Sequence, residues 1–318
     1  MNVQVGANPG WHANVPTVSV LMTSYNRERY LAEAIDSVLA QTFGDFELIV
    51  SDDASTDRTA QIANDYAARD ARIRVMTHDR NVGDYANRNR AAGYARGRYL
   101  KYHDSDDVMY PHCLSVMVPL LEAEPSAGFA LSGSHFWPGG RCPMLLTPAL
   151  AYEREFLGSG LFHLGPAGAL FRTERFRALG GFRETPHASD YLFWVDACLT
   201  VDVLLVPGDL FYYRQHAGQE AEKPANALAY AMAAAHTWCV LNSPACPLAD
   251  EKLRQAKRNF VYTQARGMYR YVRRGQLPYA WQLIRHVGLT SLDWIRYLRP
   301  PHRMPHAGTP PSTQEIPA

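Results

Sequence analysis

The sequence predicts an α/β protein with a mostly parallel sheet flanked by helices, followed by a helical appendage. Three observations support this prediction. Short apolar segments alternate with helical segments through the first hundred residues, which is the pattern of βαβ units. Polar clusters, two of them rich in acids, follow three of the apolar segments. The chain after Pro224 has helical character up to about Leu298 and is strongly basic.

Composition sets outer limits on the kind of protein. A chain of 318 residues that is 47% apolar can form one large domain, or one domain with an appendage. The formal net charge of +1 gives no general argument for a nucleic-acid partner. Five scattered cysteines without a CxxC pair favour a reducing compartment over a disulfide framework or a structural zinc site. No secretory signal or membrane-spanning segment is predicted, so we expect a cytoplasmic protein.

The first hundred residues contain four apolar segments, each of strand length. The first begins with a β-branched residue, and the helical segment after it places Leu31, Ala34, Ile35 and Val38 on one face. Predicted strands cover 18–22, 46–50, 73–76 and 99–102, and predicted helices cover 30–39, 57–68 and 87–95. This alternation predicts a parallel sheet.

The second half is less regular. Predicted strands cover 129–132, 168–171, 203–206 and 211–214, and predicted helices cover 111–122 and 190–199. Six prolines between residues 300 and 318 predict a disordered tail. The expected organisation is an N-terminal extension (1–16), a main domain (17–220, in halves 17–110 and 111–220), a helical region (221–299) and the tail (300–318).

Three polar clusters follow predicted strands, at residues 23–26 (TSYN), 52–55 (DDAS) and 104–107 (DSDD). In an open parallel sheet, ligands bind beyond the carboxyl ends of the strands, so the clusters should meet at one edge. Each cluster alone is open to another interpretation, because Asp and Ser also form turns and helix caps; Ser55 and Asp57 fit capping at least equally well. The coincidence of all three favours a binding site.

The residue types in these clusters suit a nucleoside diphosphate. The Tyr25 ring can stack on a base, and the Asp53 carboxylate can accept a hydrogen bond from a base N–H. Asp104 and Asp106 can hold Mn²⁺ or Mg²⁺ and, through the metal, a diphosphate. No GxxxxGK[ST] loop or GxGxxG fingerprint is present, which argues against a P-loop NTPase or a dinucleotide dehydrogenase.

The ordered motifs also resemble a known family. Residues 18–27 (VSVLMTSYNR), 37–43 (SVLAQTF), 52–57 (DDASTD), 88–89 (RN) and 104–107 (DSDD) are similar to segments of family-2 nucleotide-sugar glycosyltransferases. The resemblance covers about residues 16–218. It implies a GT-A fold and inverting transfer of a sugar, most simply from a UDP-sugar, with a nucleotide-binding half at 17–110 and an acceptor-side half at 111–220.

The resemblance also implies roles for individual residues. It assigns nucleotide binding to six polar or charged side chains: Thr23, Tyr25, Asn26, Asp53, Arg88 and Asp104. Asp106 becomes the direct metal ligand, and Asp107 becomes a supporting or helix-starting acid. Arg80 flanks the same segment as Arg88, and the resemblance does not decide which of the two arginines meets the nucleotide.

Transfer to a hydroxyl requires a general base, and Asp190 is the candidate that the resemblance offers. The alternative is that Ser189 caps a helix and Asp190 favours its dipole, with Asp196 as a spare base. His216, in a Tyr-Arg-x-His element, is expected to approach the metal, which an imidazole suits. A solvated loop histidine is the other interpretation of His216.

The helical C-terminal region is basic and aromatic. Residues 251–304 hold 12 of the 32 Lys and Arg residues but only two of the 31 acids. Such helices can cap the main domain, lie on the inner face of an anionic plasma membrane, or do both. The expected partners are a nucleotide-diphosphate sugar and a saccharide or lipid-linked saccharide of cell-surface polysaccharide assembly, without nucleic acid. A nucleotidyltransferase and an inactive sugar-nucleotide-binding protein are the alternatives.

Overall fold

The computed structural model describes residues 4–5, 15–133, 142–185, 187–208, 210–216 and 227–297. The tail at 300–318, predicted to be disordered, lies outside these ranges, as does most of the N-terminal extension at 1–16. Gln4 and Val5 of this extension pair with Thr77 and Met76 at the edge of the main sheet.

Eleven strands occur within the described residues, and nine of them form one sheet. The strands are β1 (Gln4–Val5), β2 (Val18–Ser24), β3 (Phe46–Asp52), β4 (Ile73–Thr77), β5 (Tyr99–Tyr102), β6 (Val108–Met109), β7 (Ala127–Ser132), β8 (Met144–Leu146), β9 (Ala169–Arg172), β10 (Asp202–Val206) and β11 (Phe211–Tyr212). The order in the large sheet is β1-β4-β3-β2-β5-β9-β7-β10-β8, and β11 and β6 form a separate antiparallel pair.

Strands β4, β3, β2 and β5 run parallel, as the alternating pattern predicts. Val18 of β2 pairs with Phe46 of β3 on one side and with Tyr99 of β5 on the other, so the three strands begin at the same level of the sheet. Strand β9 lies antiparallel between β5 and β7, and β10 runs parallel to β7. The sheet is therefore mostly parallel on the side that carries the polar clusters.

The described residues also form eleven α-helices that cover both faces of the sheet. These are α1 (Leu31–Leu39), α2 (Thr59–Ala67), α3 (Asp84–Tyr94), α4 (Cys113–Glu122), α5 (Pro148–Leu157), α6 (Thr173–Ala178), α7 (Ser189–Ala197), α8 (Ala227–Leu241), α9 (Asp250–Arg273), α10 (Leu277–His286) and α11 (Ser291–Tyr297). Alternate residues of β2 enter different core clusters: Val18, Val20 and Met22 lie in one and Leu21 in the other. The sheet thus buries both faces, which explains its continuous apolar strands.

Five elements are not predicted by the sequence pattern, namely β1, β6, β8, α5 and α6. The strands have only two and three residues, too few to display a period. The C-terminal region is helical as predicted, but it divides into four helices. Gly275 (φ 69°) and Gly288 (φ 76°) adopt left-handed conformations just after α9 and α10, where a glycine commonly ends a helix.

Helices α8 and α9 pack against the main domain. Trp238 of α8 stacks on Phe260 of α9, with ring centroids 5.7 Å apart. The Asn259 side-chain amide donates to the Phe156 carbonyl of α5 at 2.8 Å. Both aromatic rings belong to the core cluster that contains β9, so the C-terminal region shares the core of the sheet. Within the described part of the chain, no helix combines the length and apolar character needed to cross a membrane.

Candidate active site

The loops after β2 and β3 are tied together by side chains from both. The Asn26 backbone N–H donates to Ser55 Oγ at 2.9 Å, and Asn26 Oδ1 accepts from the Thr56 backbone N–H at 2.9 Å. Asn26 adopts a left-handed backbone (φ 53°), which asparagine tolerates better than most residues. Ser55 Oγ donates to Asp52, so Ser55 organises the loop and does not cap α2. The Asp57 carboxylate does accept the Thr59 N–H at the start of α2, as the capping interpretation expects.

Asp53 connects this edge to the loop that precedes α3. Its buried carboxylate accepts hydrogen bonds from the backbone N–H groups of Val82 (3.0 Å) and Gly83 (2.9 Å). Gly83 has φ 91°, a conformation that side-chain-bearing residues rarely adopt. Thr23 is buried at the end of β2, and Tyr25 is 44% exposed, so the tyrosine ring is open to a stacking partner. The predicted base contact of Asp53 stays a prediction; its observed contacts fix the loop.

Arg88 joins two acids beyond the end of β5. Its Nη2 donates to Asp104 Oδ1 at 2.7 Å and its Nε to Asp84 at 3.0 Å, while its Nη1 is buried with no hydrogen-bond partner among the described residues. Burial alone would oppose ionisation of Asp104, but the Arg88 charge outweighs it and lowers the pKa of that carboxyl. The site thus holds an ionised carboxylate beside a guanidinium that has one unused donor.

Asp106 contacts nitrogen-bearing side chains from two distant segments. Its Oδ2 accepts from Arg27 Nε at 3.1 Å and lies 3.0 Å from His216 Nε2. The His216 ring also packs on Tyr30, with centroids 4.7 Å apart. His216 is therefore a packed residue of the site, which disagrees with the interpretation of a solvated loop histidine.

Asp107 has a structural environment. It is 1% exposed, and its Oδ1 accepts the Arg214 backbone N–H at 3.0 Å while its Oδ2 is buried without a described partner. Burial, with the nearby charge of Asp104, raises the pKa of Asp107 to about 8. Helix α4 begins only at Cys113, so Asp107 does not start that helix. It supports the loop, which is one of the two roles expected of it.

The site contains donors suited to a divalent cation, although no group of three or more His, Cys, Asp or Glu side chains in the described residues is arranged to hold one unaided. Asp106 Oδ2 and His216 Nε2 are 3.0 Å apart. Asp104 precedes Asp106 by two residues in the loop after β5. Mg²⁺ commonly takes one or two protein carboxylates and completes its shell with water and substrate phosphates. The residues fit that mode of binding.

Asp190 lies in the first turn of α7, which begins after Ala188 in a left-handed conformation (φ 60°). Ser189 does not cap this helix, because its hydroxyl donates to the Arg183 carbonyl at 2.5 Å. Burial raises the pKa of Asp190 above its ordinary value, although hydrogen bonds from the Tyr191 backbone (2.8 Å) and the Tyr85 hydroxyl favour the carboxylate. A half-buried carboxylate with a raised pKa suits a general base.

Asp196, the other acid of α7, is engaged elsewhere. Its carboxylate contacts Arg183 Nη2 and His236 Nε2, each at 2.6 Å. This surface cluster connects α7 with α8. Asp196 is therefore a structural residue and a suitable control for Asp190.

A pair of hydrogen bonds links the two predicted halves. Asn89 Nδ2 donates to the Phe182 carbonyl at 2.7 Å, and the Phe182 N–H donates to Asn89 Oδ1 at 2.9 Å. A Cβ at Gly181 would lie 2.7 Å from that same Oδ1, so the close approach requires glycine there. Asn89 and the Gly180-Gly181-Phe182 turn therefore hold α3 against the segment that leads to α7.

The structure brings the predicted residues to the carboxyl edge of the sheet, and it adds residues that the sequence analysis did not assign. Arg27, Arg214, Asp84 and Tyr85 all contact or influence the predicted acids. Arg27 and Arg214 both lie inside motifs that resemble the family, and that is the signal that could have identified them. Asp84 and Tyr85 carry no such signal, because only the turn into α3 places them there.

Comparison with known proteins identifies related sequences. The family model described as "Glycosyl transferase family 2" matches residues 19–180. The chain is 46% identical over 93 residues (29% of this chain, 27% of the relative) to the uncharacterized glycosyltransferase EpsJ of Bacillus subtilis. It is 36% identical over 104 residues (33% and 40%) to the UDP-Glc:alpha-D-GlcNAc-diphosphoundecaprenol beta-1,3-glucosyltransferase WfgD of Escherichia coli. The matches to these curated relatives span less than half of each relative's length.

Solved structures share the fold. Residues 1–349 of S. aureus TarS in complex with UDP-GlcNAc align with a TM-score of 0.61 at 20% identity, over 84% of this chain and 90% of that one. The mannosyltransferase PcManGT from Pyrobaculum calidifontis, in complex with GDP-Man and Mn²⁺, aligns with a TM-score of 0.58 at 18% identity, over 85% and 74%. These similarities confirm the predicted α/β fold of the GT-A type.

Proposed function

The chain belongs to glycosyl transferase family 2, and on that premise we propose that it transfers a sugar, with inversion, from a nucleotide diphosphate to an acceptor hydroxyl. UDP is the proposed nucleotide, and Mn²⁺ or Mg²⁺ the proposed cofactor. The family match gives no support to the nucleotidyltransferase alternative.

One observation carries the proposal, namely the pairing of acids and cations beyond β5. Arg88 holds Asp104 at 2.7 Å and keeps a buried Nη1 without a described partner. A buried guanidinium N–H without an acceptor is costly, and a phosphate oxygen is an acceptor that it recognises well. Asp106 and His216 lie at the same edge with an oxygen and an imidazole nitrogen 3.0 Å apart. The set fits a metal–diphosphate.

The donor-binding proposal gains support from proteins of the same fold. TarS binds UDP-GlcNAc and UDP in its solved complexes, and PcManGT binds GDP-Man with Mn²⁺. For this chain we assign the nucleobase and ribose to Thr23, Tyr25, Asn26 and Asp53, and the diphosphate to Arg88 and Asp104. Asp106 and His216 are the proposed metal ligands. A bound cation would offset the charge that develops on the departing diphosphate.

Asp190 is the proposed base. In its ionised form it accepts the proton of the acceptor hydroxyl as that oxygen forms a bond to the anomeric carbon. The bond from that carbon to the diphosphate oxygen breaks on the opposite side, so the configuration inverts. Its half-buried position favours this role, because burial makes the carboxylate a stronger base than an exposed one.

The names of two relatives suggest the class of acceptor. WfgD acts on a GlcNAc-diphosphoundecaprenol, and TuaG of Bacillus subtilis, 37% identical over 118 residues, is named for teichuronic acid biosynthesis. We assign this chain a saccharide or lipid-linked saccharide acceptor in cell-surface polysaccharide assembly. The proposed location is the cytoplasmic face of the plasma membrane, with contact through the basic C-terminal helices.

Titration calorimetry tests the donor site. We expect UDP to bind in the presence of Mn²⁺ or Mg²⁺, and Asp106→Asn to abolish the metal-dependent part. Asp196→Asn, which removes a carboxylate from the surface cluster of α7, is the matched control and should bind UDP like the native protein.

A screen of nucleotide sugars for metal-dependent release of nucleotide then identifies the donor, and NMR of the product reports the anomeric configuration. Equal UDP binding with and without metal would remove Asp106 from the site. Metal-dependent UDP binding without release of nucleotide from any donor, whatever the acceptor, would favour the inactive binding protein.

A further inference from the structure

Helix α9 presents a stripe of arginines to solvent. Arg266, Arg270, Arg273 and Arg274, with Tyr269, follow the spacing of one helical face and line an open cleft of about 480 Å³. All five are exposed, and Tyr269 is 64% exposed. None of the four arginines forms an ion pair with an acid of the described residues. Four guanidinium groups on one face therefore lack counter-charges there.

Helix α10 adds an exposed apolar stripe. One of its faces, formed by Ala280, Leu283 and Val287, is buried against the other helices. A second stripe, formed by Leu277 (60% exposed), Trp281 (61%) and Ile284 (41%), points to solvent. Packing of α10 on its neighbours does not explain this second stripe. Exposed apolar groups of this size next to basic helices are typical of an interaction surface.

The segment after α11 does not offer a counter-charge either. Residues 298–318 contain two arginines and two histidines but a single acid, Glu315, so this segment cannot neutralise the stripe. The charge is concentrated locally, since the whole chain has a formal charge of only +1. The complementary surface must be anionic, and it must also accept the rings and aliphatic chains of α10.

We propose that the arginine stripe of α9 and the exposed apolar stripe of α10 form a docking surface for anionic phospholipid headgroups. The arginines meet lipid phosphates, and Trp281 and Leu277 enter the boundary between headgroups and acyl chains. Nucleic acid would satisfy the arginines but not the aliphatic side chains. This inference rests on the proposed function and specifies which residues make its membrane contact. The contact does not depend on which sugar donor the enzyme uses.

Vesicle flotation with the full chain tests this surface. We expect binding to vesicles of phosphatidylcholine mixed with phosphatidylglycerol, and little binding to phosphatidylcholine alone. Arg270→Gln with Arg273→Gln should weaken partitioning about 30-fold at low salt. Leu277→Ser with Trp281→Ser should weaken it at least about tenfold, including at high salt, where headgroup attraction is screened.

Arg69→Gln with Arg175→Gln is the matched control, because it removes the same charge from exposed positions of the catalytic domain. These variants should bind vesicles like the native chain. An equal loss in the control, no loss in the α9 variant, or binding of an oligonucleotide but not of vesicles would overturn the proposal. Metal-dependent UDP binding should be unchanged in every variant, so failure of this surface is distinguishable from failure of the transferase assignment.

Discussion

At the amino ends of β2, β3 and β5, the Glu47 carboxylate lies buried among Ser19, Arg74 and Arg96. It accepts from Ser19 Oγ at 2.7 Å and from the Arg96 backbone N–H at 2.9 Å, and it pairs with both guanidinium groups. Ser19 Oγ in turn accepts the Gly97 N–H at 2.8 Å. The buried Ser19 and Glu47 side chains thus have all their hydrogen-bond partners within the fold.

At the carboxyl ends of the same strands, charge is also buried but less completely paired. Ser24 Oγ, Arg88 Nη1, His103 Nδ1 and Asp107 Oδ2 are all buried without a hydrogen-bond partner among the described residues. Buried polar groups are nearly always paired in native proteins, so a concentration of unpaired ones marks a place where a ligand supplies the partners. The amino-end cluster is paired within the sheet, whereas the carboxyl-end cluster keeps the unpaired groups that the proposed ligand would meet.

The largest effect should come from Asp190→Asn. Loss of a general base costs about 10²- to 10⁴-fold in rate, so transfer should fall by that factor while UDP affinity and the urea midpoint stay near native values. Steady-state kinetics and calorimetry measure both properties. Asp196→Asn should retain activity; a fully active Asp190→Asn variant would return Asp190 to a purely helical role.

Glu47→Gln should show that the amino-end cluster contributes more to the free energy of unfolding than the carboxyl-end cluster does. The substitution replaces the buried carboxylate that pairs with the Arg74 and Arg96 guanidinium groups, so the free energy of unfolding should fall by about 2 kcal/mol. Asp107→Asn should change it by less than about 1 kcal/mol at pH 7, because burial already keeps most of that carboxyl protonated. Urea unfolding at pH 7 compares them, and similar losses would contradict the distinction between the two clusters.

One arginine from each end of the strands tests which cluster binds UDP. Arg88→Gln should weaken UDP binding by about 10- to 100-fold, the range for a lost hydrogen bond to a charged group. Arg96→Gln removes a guanidinium at the amino end and should leave UDP affinity unchanged while it lowers stability. If both variants bind UDP equally well, Arg88 does not meet the diphosphate.

The smallest expected effect concerns pH. Burial, aided by the Lys101 charge, lowers the pKa of His103 to about 3, well below the value of about 6.5 in an unfolded chain. The unfolded state therefore binds a proton that the native state does not, and stability falls as the pH drops below about 6.5. Between pH 7.5 and 5.5 this contribution is about 1 kcal/mol.

His103→Gln should remove that part of the pH dependence of the free energy of unfolding. His112→Gln, at an exposed position, should keep it. Urea unfolding at the two pH values gives the comparison, and equal slopes for native protein and His103→Gln would place the titration elsewhere.

Much of this arrangement can be predicted from the sequence, because apolar runs and polar clusters alternate with a clear period. The parallel order of β2 to β5 follows from that alternation, and the meeting of Asp53 with Asp104 at one edge follows from the order. The ion pairs cannot be predicted from the alternating pattern. Arg27 and Arg214 reach the acidic loop from segments about 80 and 108 residues away along the chain, and only tertiary packing brings them together.

Glu47 shows a second reason why part of the structure cannot be predicted from the sequence. A charged residue after Phe46 in a predicted strand reads as the solvent-facing position of an alternating pattern. Its burial depends on Arg96, which enters from the turn before β5. An ion pair between residues far apart in the chain produces no periodic pattern in the local sequence. The amino-end cluster was therefore not predicted.

The position of β9 between β5 and β7 determines how the chain can be divided. A fragment that stopped at residue 110 would expose the edge of β5 along Tyr99–Lys101, and Asn89 would lose both hydrogen bonds to Phe182. An open strand edge of this kind pairs readily with other chains. Residues 17–110 and 111–220 are therefore inseparable as gene fragments, and exchange of either part between relatives requires a donor sequence that also supplies β9 and the Gly180-Gly181-Phe182 turn.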